Sequence, residues 1–483
     1  MSSILVISIL IAYFGALLII AYLTSKNASS ETFFTGNKSS PWYLVAFGMI
    51  GTTLSGVIFI SVPGAVGKSG FAYFQVILGN LAGYLVVALI LLPLYYKLNL
   101  ISIYTYLEKR FGFWSYKSGS IAFIISRTIG AAFRLFLAVL VLDLFLFQNF
   151  NVPFWLVTLI TLGLIWIYTF KGGVKTIIWT DSFQTIFLVM ALIMSIFFIA
   201  HELELNSFTK VVKTIKTGGH SKIFFFDDVN SPNFFWKKFL SGIFLVICMV
   251  GLDQDMMQKN LSCHNIGEAK KNMFSFLGVF VVVNILFLSL GALLYFYAES
   301  KGIVIPANRD YLYPTLALKY FGTAAGIFFL LGITASSYAS SDSALAALTT
   351  AFCIDFLNFE KKTEKSRQKL KFMVHLGFTF ILFIIILAFK SLNNDSVVNA
   401  VFKVAGYTYG PLLGLFSFGL LTKRQVRDKF VPLICILSPA ICYILNQNSE
   451  KWLYGYKFDF ELLILNGLIT FIGLWIISFK GEK

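Results

Sequence analysis

Uninterrupted apolar runs recur along this chain near 2–23, 42–62, 69–96, 118–148, 153–170, 177–201, 233–253, 271–297, 323–350, 371–390, 397–421, 430–446 and 460–478. Such runs suit helices that cross a hydrocarbon core of ~30 Å. They predict an all-α polytopic membrane protein of about thirteen transmembrane helices. The apolar residues are continuous and do not alternate, which excludes a membrane β-barrel. Three runs turn polar where they should be most apolar. Run 42–62 carries Gly48, Gly51, Thr52, Thr53, Ser55 and Gly56 midway. Run 233–253 ends in Gly251 and Asp253, with Asp255 just beyond. Run 323–350 starts apolar and then reads Ser336, Ser337, Ser340, Ser341, Asp342, Ser343, Thr349 and Thr350.

Composition narrows the partners. Hydrophobic residues make up 58% of the 483 and charged residues only 13%, against about 25% charged in ordinary globular chains. No linker or low-complexity tract divides the chain, so a single transmembrane domain over 1–483 in a lipid bilayer is expected. The net charge of +16 does not call for nucleic acid, because Lys and Arg gather in cytoplasmic loops. Loops 97–117, 359–371 and 422–429 are short and basic, and thirteen spans put them on one side. That arrangement predicts an N-terminus outside and a C-terminus inside a cell (plasma, inner) membrane. The longest loop, 202–232, falls outside despite Lys210, Lys213, Lys216 and Lys222. The run SSILVISILIAYFGALLIIAYL is expected to be the first span, being too long for a signal-peptide core and without a basic leader. Scattered cysteines and histidines offer neither a disulfide framework nor a transition-metal site.

The polar interruptions suggest where the chemistry lies. Clusters of Gly and hydroxyl residues let a helix unwind, which a membrane tolerates only where backbone lines a cavity. Glycine for close helix packing is the alternative for either segment. The second interrupted run lies five spans after the first, the pointer to an inverted-repeat transporter with a midplane site. Ser336, Ser340 and Ser343 share one helix face. Oxygen ligands without Cys or His suit a hard cation such as Na⁺. Asp181, flanked by Thr180 and Gln184, is either a cation ligand or an interfacial N-cap. Arg127 and Arg134, seven residues apart, share a face. Either could grip a carboxylate on a substrate, or pair structurally with Asp143 or another helix. Asp342 could pair with one of these arginines or join Asp181 near a cation. Lys403 is expected to snorkel, and Tyr407 and Tyr409 to pack or anchor at the interface.

Four segments, GGVKTIIWTDSFQ (172–184), GLDQDMMQ (251–258), SSDSALAALTTAFCIDF (340–356) and GYTYGPLLGLFSFGLL (406–421), resemble the sodium:solute symporter family, and the likeness covers essentially the whole chain. The resemblance implies a LeuT-like five-plus-five inverted repeat. On that scheme 2–23 is an extra leading helix, 42–201 the first repeat, 233–421 the second and 430–478 two trailing helices. A common sodium site is implied at the carbonyls of Gly51 and Leu54 and at Ser336, Ala339 and Ser340. Here Ala339 stands where the family carries a hydroxyl, unless Ser341 or Ser337 takes its place. A second sodium, as in some members, would match Asp181, Asp342 and Ser343. Substrate contacts are expected from Thr53, Ser55 and Arg134. Val57 and Ile58 replace the Glu-Gln pair of sugar-transporting members, which argues against a glucose-like solute.

The expected function is sodium-coupled symport of a small organic solute bearing a carboxylate, by alternating access, with one sodium and room for a second. No nucleophile–base pair or phosphate loop points to an enzyme, and no obligatory protein partner is evident. The alternative is a transporter-like sensor working with a separate signalling partner.

Overall fold

The computed structural model describes residues 3–26, 30–392 and 397–480. Each predicted apolar run coincides with a helix or with two consecutive helices. In chain order the principal helices are α1 (Ser3–Ser25), α2 (Trp42–Thr53), α3 (Gly56–Ser69), α4 (Tyr73–Leu98), α5 (Phe113–Phe147), α6 (Phe154–Thr169) and α7 (Gly173–Glu202). After a short amphipathic α8 (Phe208–Thr217) come α9 (Phe235–Gly251), α10 (Gln254–Asn260), α11 (Ile266–Ser300) and α12 (Gly322–Leu357). The chain continues as α13 (Glu364–Leu392), α14 (Val397–Thr408), α15 (Gly410–Leu421), α16 (Val431–Trp452) and α17 (Leu462–Ile476). Among the described residues eight helices are long and apolar enough to cross a membrane, and the bent pairs α2–α3 and α9–α10 raise this to ten. Helices α6, α15 and α17 are apolar but shorter.

The two interrupted runs are broken helices. α2 and α3 meet at 56° and α9 and α10 at 68°. The first break follows from GTTLSG: Leu54 leaves helical geometry (φ −83°, ψ 51°) and Ser55 is extended (φ −53°, ψ 170°). The second follows a π turn at Ile247–Gly251. There Asp253 restarts the helix as an N-cap, its carboxylate accepting from the amides of Asp255 (2.9 Å) and Met256 (3.5 Å).

α12 sits at the centre. Every residue from Phe329 to Ala351 is buried, so this helix meets protein on all sides and can hold hydroxyls away from lipid. α7 packs along it and also along α2, while α5 covers another side. The three basic loops converge on one end of the bundle. Arg110 donates to the carbonyls of Gly419, Thr422 and Arg424 at 2.8–3.2 Å. Asp428 accepts from the amides of Trp114 and Ser115 at 2.8 Å. Lys117 lies 4.9 Å over the Phe356 ring. The opposite end gathers the 202–232 connection: Phe71 donates to the Lys222 carbonyl (2.9 Å), and Lys301 pairs with Glu202 (3.0 Å).

Glycine packing is found too, but elsewhere. A Cβ at Gly79 in α4 would lie 2.0 Å from the Phe239 carbonyl, and one at Gly242 in α9 would lie 2.2 Å from the Val76 carbonyl. These helices touch backbone to backbone. Gly79→Val should therefore cost about 1–3 kcal/mol by overpacking. A drop of roughly 5 °C in the unfolding midpoint of the purified protein would report it. Gly278→Ala, where a Cβ meets nothing within 4 Å, should leave that midpoint unchanged.

Candidate cation and substrate site

The two breaks are finished differently. At the second, the carbonyls freed by unwinding are taken up. Tyr95 donates its hydroxyl to the Gly251 carbonyl (2.9 Å) and Tyr104 donates to that of Leu252 (3.0 Å). The Gln254 amide spans Ile101 (2.7 Å) and Ile103 (3.0 Å). At the first break, the carbonyls of Gly51 and Leu54 accept no hydrogen bond from any described residue. A buried carbonyl without a donor is costly unless something else completes it.

That first break faces α12. A Cβ at Gly51 would stand 3.6 Å from the Ala339 Cβ, and one at Gly56 would overlap the Ser337 Oγ at 2.1 Å. Along this face Ser336 donates to the Ile333 carbonyl (3.1 Å), while Ser340 (2.9 Å) and Ser341 (2.8 Å) donate to that of Ser337. Their protons are thus directed back into the helix, leaving oxygen lone pairs as acceptors. The hydroxyls of Ser337 and Thr53 are buried without a partner. Open carbonyls, oriented hydroxyls and orphan oxygens fit a small hard cation. With Ala339 lacking a hydroxyl, Ser337 is the oxygen nearby that makes no hydrogen bond among the described residues, while Ser341 donates to the Ser337 carbonyl as Ser340 does.

Next to this lies a cavity lined by Thr53, Ser55 and Arg134, the three residues expected to meet substrate. Val57, Ile58, Tyr73 and Met249 give it apolar walls. Arg134 on α5 is half-buried and makes no ion pair or hydrogen bond among the described residues. Arg127, two turns earlier, also reaches the cavity but is spoken for. It is buried and ion-paired with Asp255, and its Nη1 lies 3.8 Å from Asp253. Tyr409, between α14 and α15, donates to Asp253 at 2.5 Å. The pairing with Asp143 does not form, because Lys390 takes Asp143 at 3.0 Å.

Behind the first break lies a second polar cluster. Asp181 is fully buried in the interior of α7, eight residues past its first residue, so it is not an N-cap. Its Oδ2 accepts from the Thr52 hydroxyl (2.8 Å), the Ser343 hydroxyl (3.3 Å) and the Lys259 ammonium (2.5 Å). Lys259 also donates to the Thr52 hydroxyl. Asp342 accepts from the Tyr168 hydroxyl at 2.8 Å and lies within electrostatic reach of Asp181 and Lys259. It joins Asp181 and pairs with neither arginine.

The family model for the sodium:solute symporter family matches residues 33–428. The chain belongs to the sodium:solute symporter family. Among relatives, the sodium/sialic acid symporter NanT of Aliivibrio fischeri is 26% identical, with 95% of this chain and 92% of that protein covered. The human sodium/iodide cotransporter is 25% identical over 81% of this chain and 61% of its own length. Among solved structures, the substrate-bound outward-open state of a Na⁺-coupled sialic acid symporter superposes with a TM-score of 0.83 at 20% identity, covering 98% of this chain and 97% of that one. The fold is therefore LeuT-like, and the chain is a multi-pass membrane symporter coupled to sodium.

The structure sets Gly51 at the first break against Ala339 of α12, and places Ser343 on Asp181 with Asp342 within electrostatic reach. Three contributors were not evident from sequence. Lys259 follows directly after GLDQDMMQ, with nothing in the sequence to single it out. Tyr168 sits in an apolar helix with no motif around it. Tyr409, read as packing, is a buried ligand of Asp253. The two arginines should separate by phenotype. Arg127→Met leaves two buried carboxylates uncompensated and should destabilise by about 3–5 kcal/mol. Arg134→Met should keep a near-native unfolding midpoint without solute. Size-exclusion profiles and thermal unfolding of the two variants check the contrast.

Proposed function

We propose that this symporter carries a small carboxylate-bearing organic solute inward with sodium, and that Arg134 is the group that holds the carboxylate. The observation that carries this reading is a guanidinium without a partner among the described residues, on the wall of a cavity lined largely by apolar side chains. A charged group so placed is stable only against a cavity, a partner or a ligand, and Arg matches a carboxylate with two parallel hydrogen bonds. Thr53 and Ser55 supply shorter-range hydroxyl contacts on the same cavity. Val57 and Ile58 give an apolar flank and suit a solute less densely hydroxylated than a neutral hexose. The relatives point the same way, since sialic acid carries a carboxylate and iodide is also an anion.

The co-transported sodium is assigned to the carbonyls of Gly51 and Leu54 and to Ser336, Ala339 and Ser340, with the Ser337 hydroxyl as the oxygen that Ala339 lacks. These residues lie on the broken helix and on α12, so filling the site ties the two together. The same break carries Thr53 and Ser55 into the substrate cavity, which makes the solute and the ion share one hinge. Inward movement of the solute is then driven by the sodium gradient and by the membrane potential, worth ~2.3 kcal/mol per charge per 100 mV. In this reading the chain is one domain with 2–23 as a leading helix, repeats at 42–201 and 233–421 and trailing helices at 430–478. It sits in the cell membrane with the end bearing the basic loops in the cytoplasm.

Uptake into proteoliposomes tests the whole reading. Radiolabelled acidic sugars and monocarboxylates should accumulate with an inward Na⁺ gradient, and replacement of Na⁺ by K⁺ should abolish it. Accumulation indifferent to that exchange would end the sodium assignment. Arg134→Met should raise the solute Kd by roughly 10–100-fold, the worth of a charged hydrogen-bonded contact. Ser340→Ala should raise the Na⁺ concentration for half-maximal uptake about tenfold, equivalent to ~1.4 kcal/mol.

A further inference from the structure

The second cluster does not suit a second sodium as it stands. A sodium joining Asp181, Asp342 and Ser343 would need lone pairs from all three directed at one point. Instead the Thr52 and Ser343 hydroxyls both donate to Asp181 Oδ2, and the Lys259 ammonium donates to that same oxygen at 2.5 Å and to the Thr52 oxygen. The ammonium therefore stands where a monovalent cation would, with the contacts a cation would make. Lys259 is itself buried. The burial matters because an ammonium this far from water persists only when its charge is matched.

We propose that Lys259 is a tethered cation that fills the Asp181 site, so that this transporter binds one sodium and not two. The proposal rests on the sodium-coupled reading above and fixes its stoichiometry. Four helices meet at the lysine. α10 carries it, α2 supplies Thr52, α7 supplies Asp181 and α12 supplies Ser343. A free sodium joining α2, α7 and α12 could come and go with each transport cycle. A lysine cannot leave, so its bond to Asp181 makes and breaks only through movement of α10, the second half of the other broken helix. The two breaks are thereby connected: Thr52 lies beside the open carbonyls of the first, and Lys259 closes the second. Asp181 is paired with Lys259, and Asp342 accepts from the Tyr168 hydroxyl.

Equilibrium binding of ²²Na⁺ to the purified, detergent-solubilised full chain at pH 8.5 reads the stoichiometry directly. The wild type should hold one sodium per chain with a Hill coefficient near one. Lys259→Met should hold two, because the vacated carboxylate and hydroxyls then form an open site. Asp181→Asn/Lys259→Met, which removes both charges together, should return to one with an affinity within about threefold of wild type. Two sodiums in the wild type would overturn the proposal, and so would a Lys259→Met protein that still takes only one. If the single variant does not fold, the wild-type count and the charge-neutral double variant decide. A wild type that binds no sodium at all would instead break the assignment at Gly51, Leu54 and Ser340, and the two failures are thus distinguishable.

Discussion

A carbonyl that loses its hydrogen bond inside a membrane protein must find another partner, since no water is at hand and each unsatisfied group costs several kcal/mol. Much of the architecture follows from that constraint. The chain opens two helices and deals with the freed carbonyls in two ways. At Gly251 and Leu252, tyrosines from α4 and the loop after it supply permanent donors. At Gly51 and Leu54 no donor is supplied by the described residues. The first solution makes a fixed joint and the second leaves a demand that only a ligand can meet. This asymmetry distinguishes two otherwise matching breaks.

The same economy governs charge. Asp253 and Asp255 are matched by Arg127 with Tyr409 completing the set, and Asp181 is matched by Lys259. Asp355 is satisfied by the hydroxyls of Tyr116 and Ser120, both at 2.8 Å. Against this background an unpaired guanidinium is conspicuous. Arg134 and Arg127 have the same chemistry and share a helix face, yet only one has carboxylates within reach. The difference lies on α10, whose N-terminal turn places Asp255 beside the earlier arginine. The break in the second helix thus does more than hold itself together: it occupies Arg127 and leaves Arg134 without a carboxylate partner among the described residues.

What could be read from the sequence divides along physical lines. Apolar runs announce helices because hydrocarbon thickness sets a length that the chain must satisfy locally, and these runs all reappear as helices. Broken helices are also local, since Gly, Thr and Ser in GTTLSG weaken the helix wherever it is placed. Pairings across the bundle are not local. Nothing in FIISRTIGAAFRLF distinguishes its two arginines, and nothing in MMQKN says that its lysine will cross to α7. Asp181 was ambiguous for a related reason: its role depends on where α7 begins, and a start at Gly173 puts the carboxylate well inside the helix. The sodium-site residues on α12 came from family likeness, and the structure adds which oxygen there is left unengaged.

The position of α12 explains why so polar a helix is tolerated. Its serine-rich stretch is buried on every side, so none of its hydroxyls meets lipid. Most of them satisfy themselves by donating to a carbonyl three or four residues back, a habit that also bends and loosens helices. The self-bonded serines keep their lone pairs, which makes the helix a rail of acceptors running past both polar clusters. Ser337 and Ala339 face the first break, and Ser343, one turn further on, faces Asp181. One rigid element therefore registers the state of both. Any motion of α2 that closes on the first cluster must also shift Thr52 relative to Asp181 and Lys259, because Thr52 is only one residue beyond Gly51 on the same short helix. A connection between these regions needs no long relay: three adjacent residues of α2, Gly51, Thr52 and Thr53, meet α12, Asp181 and the cavity in turn.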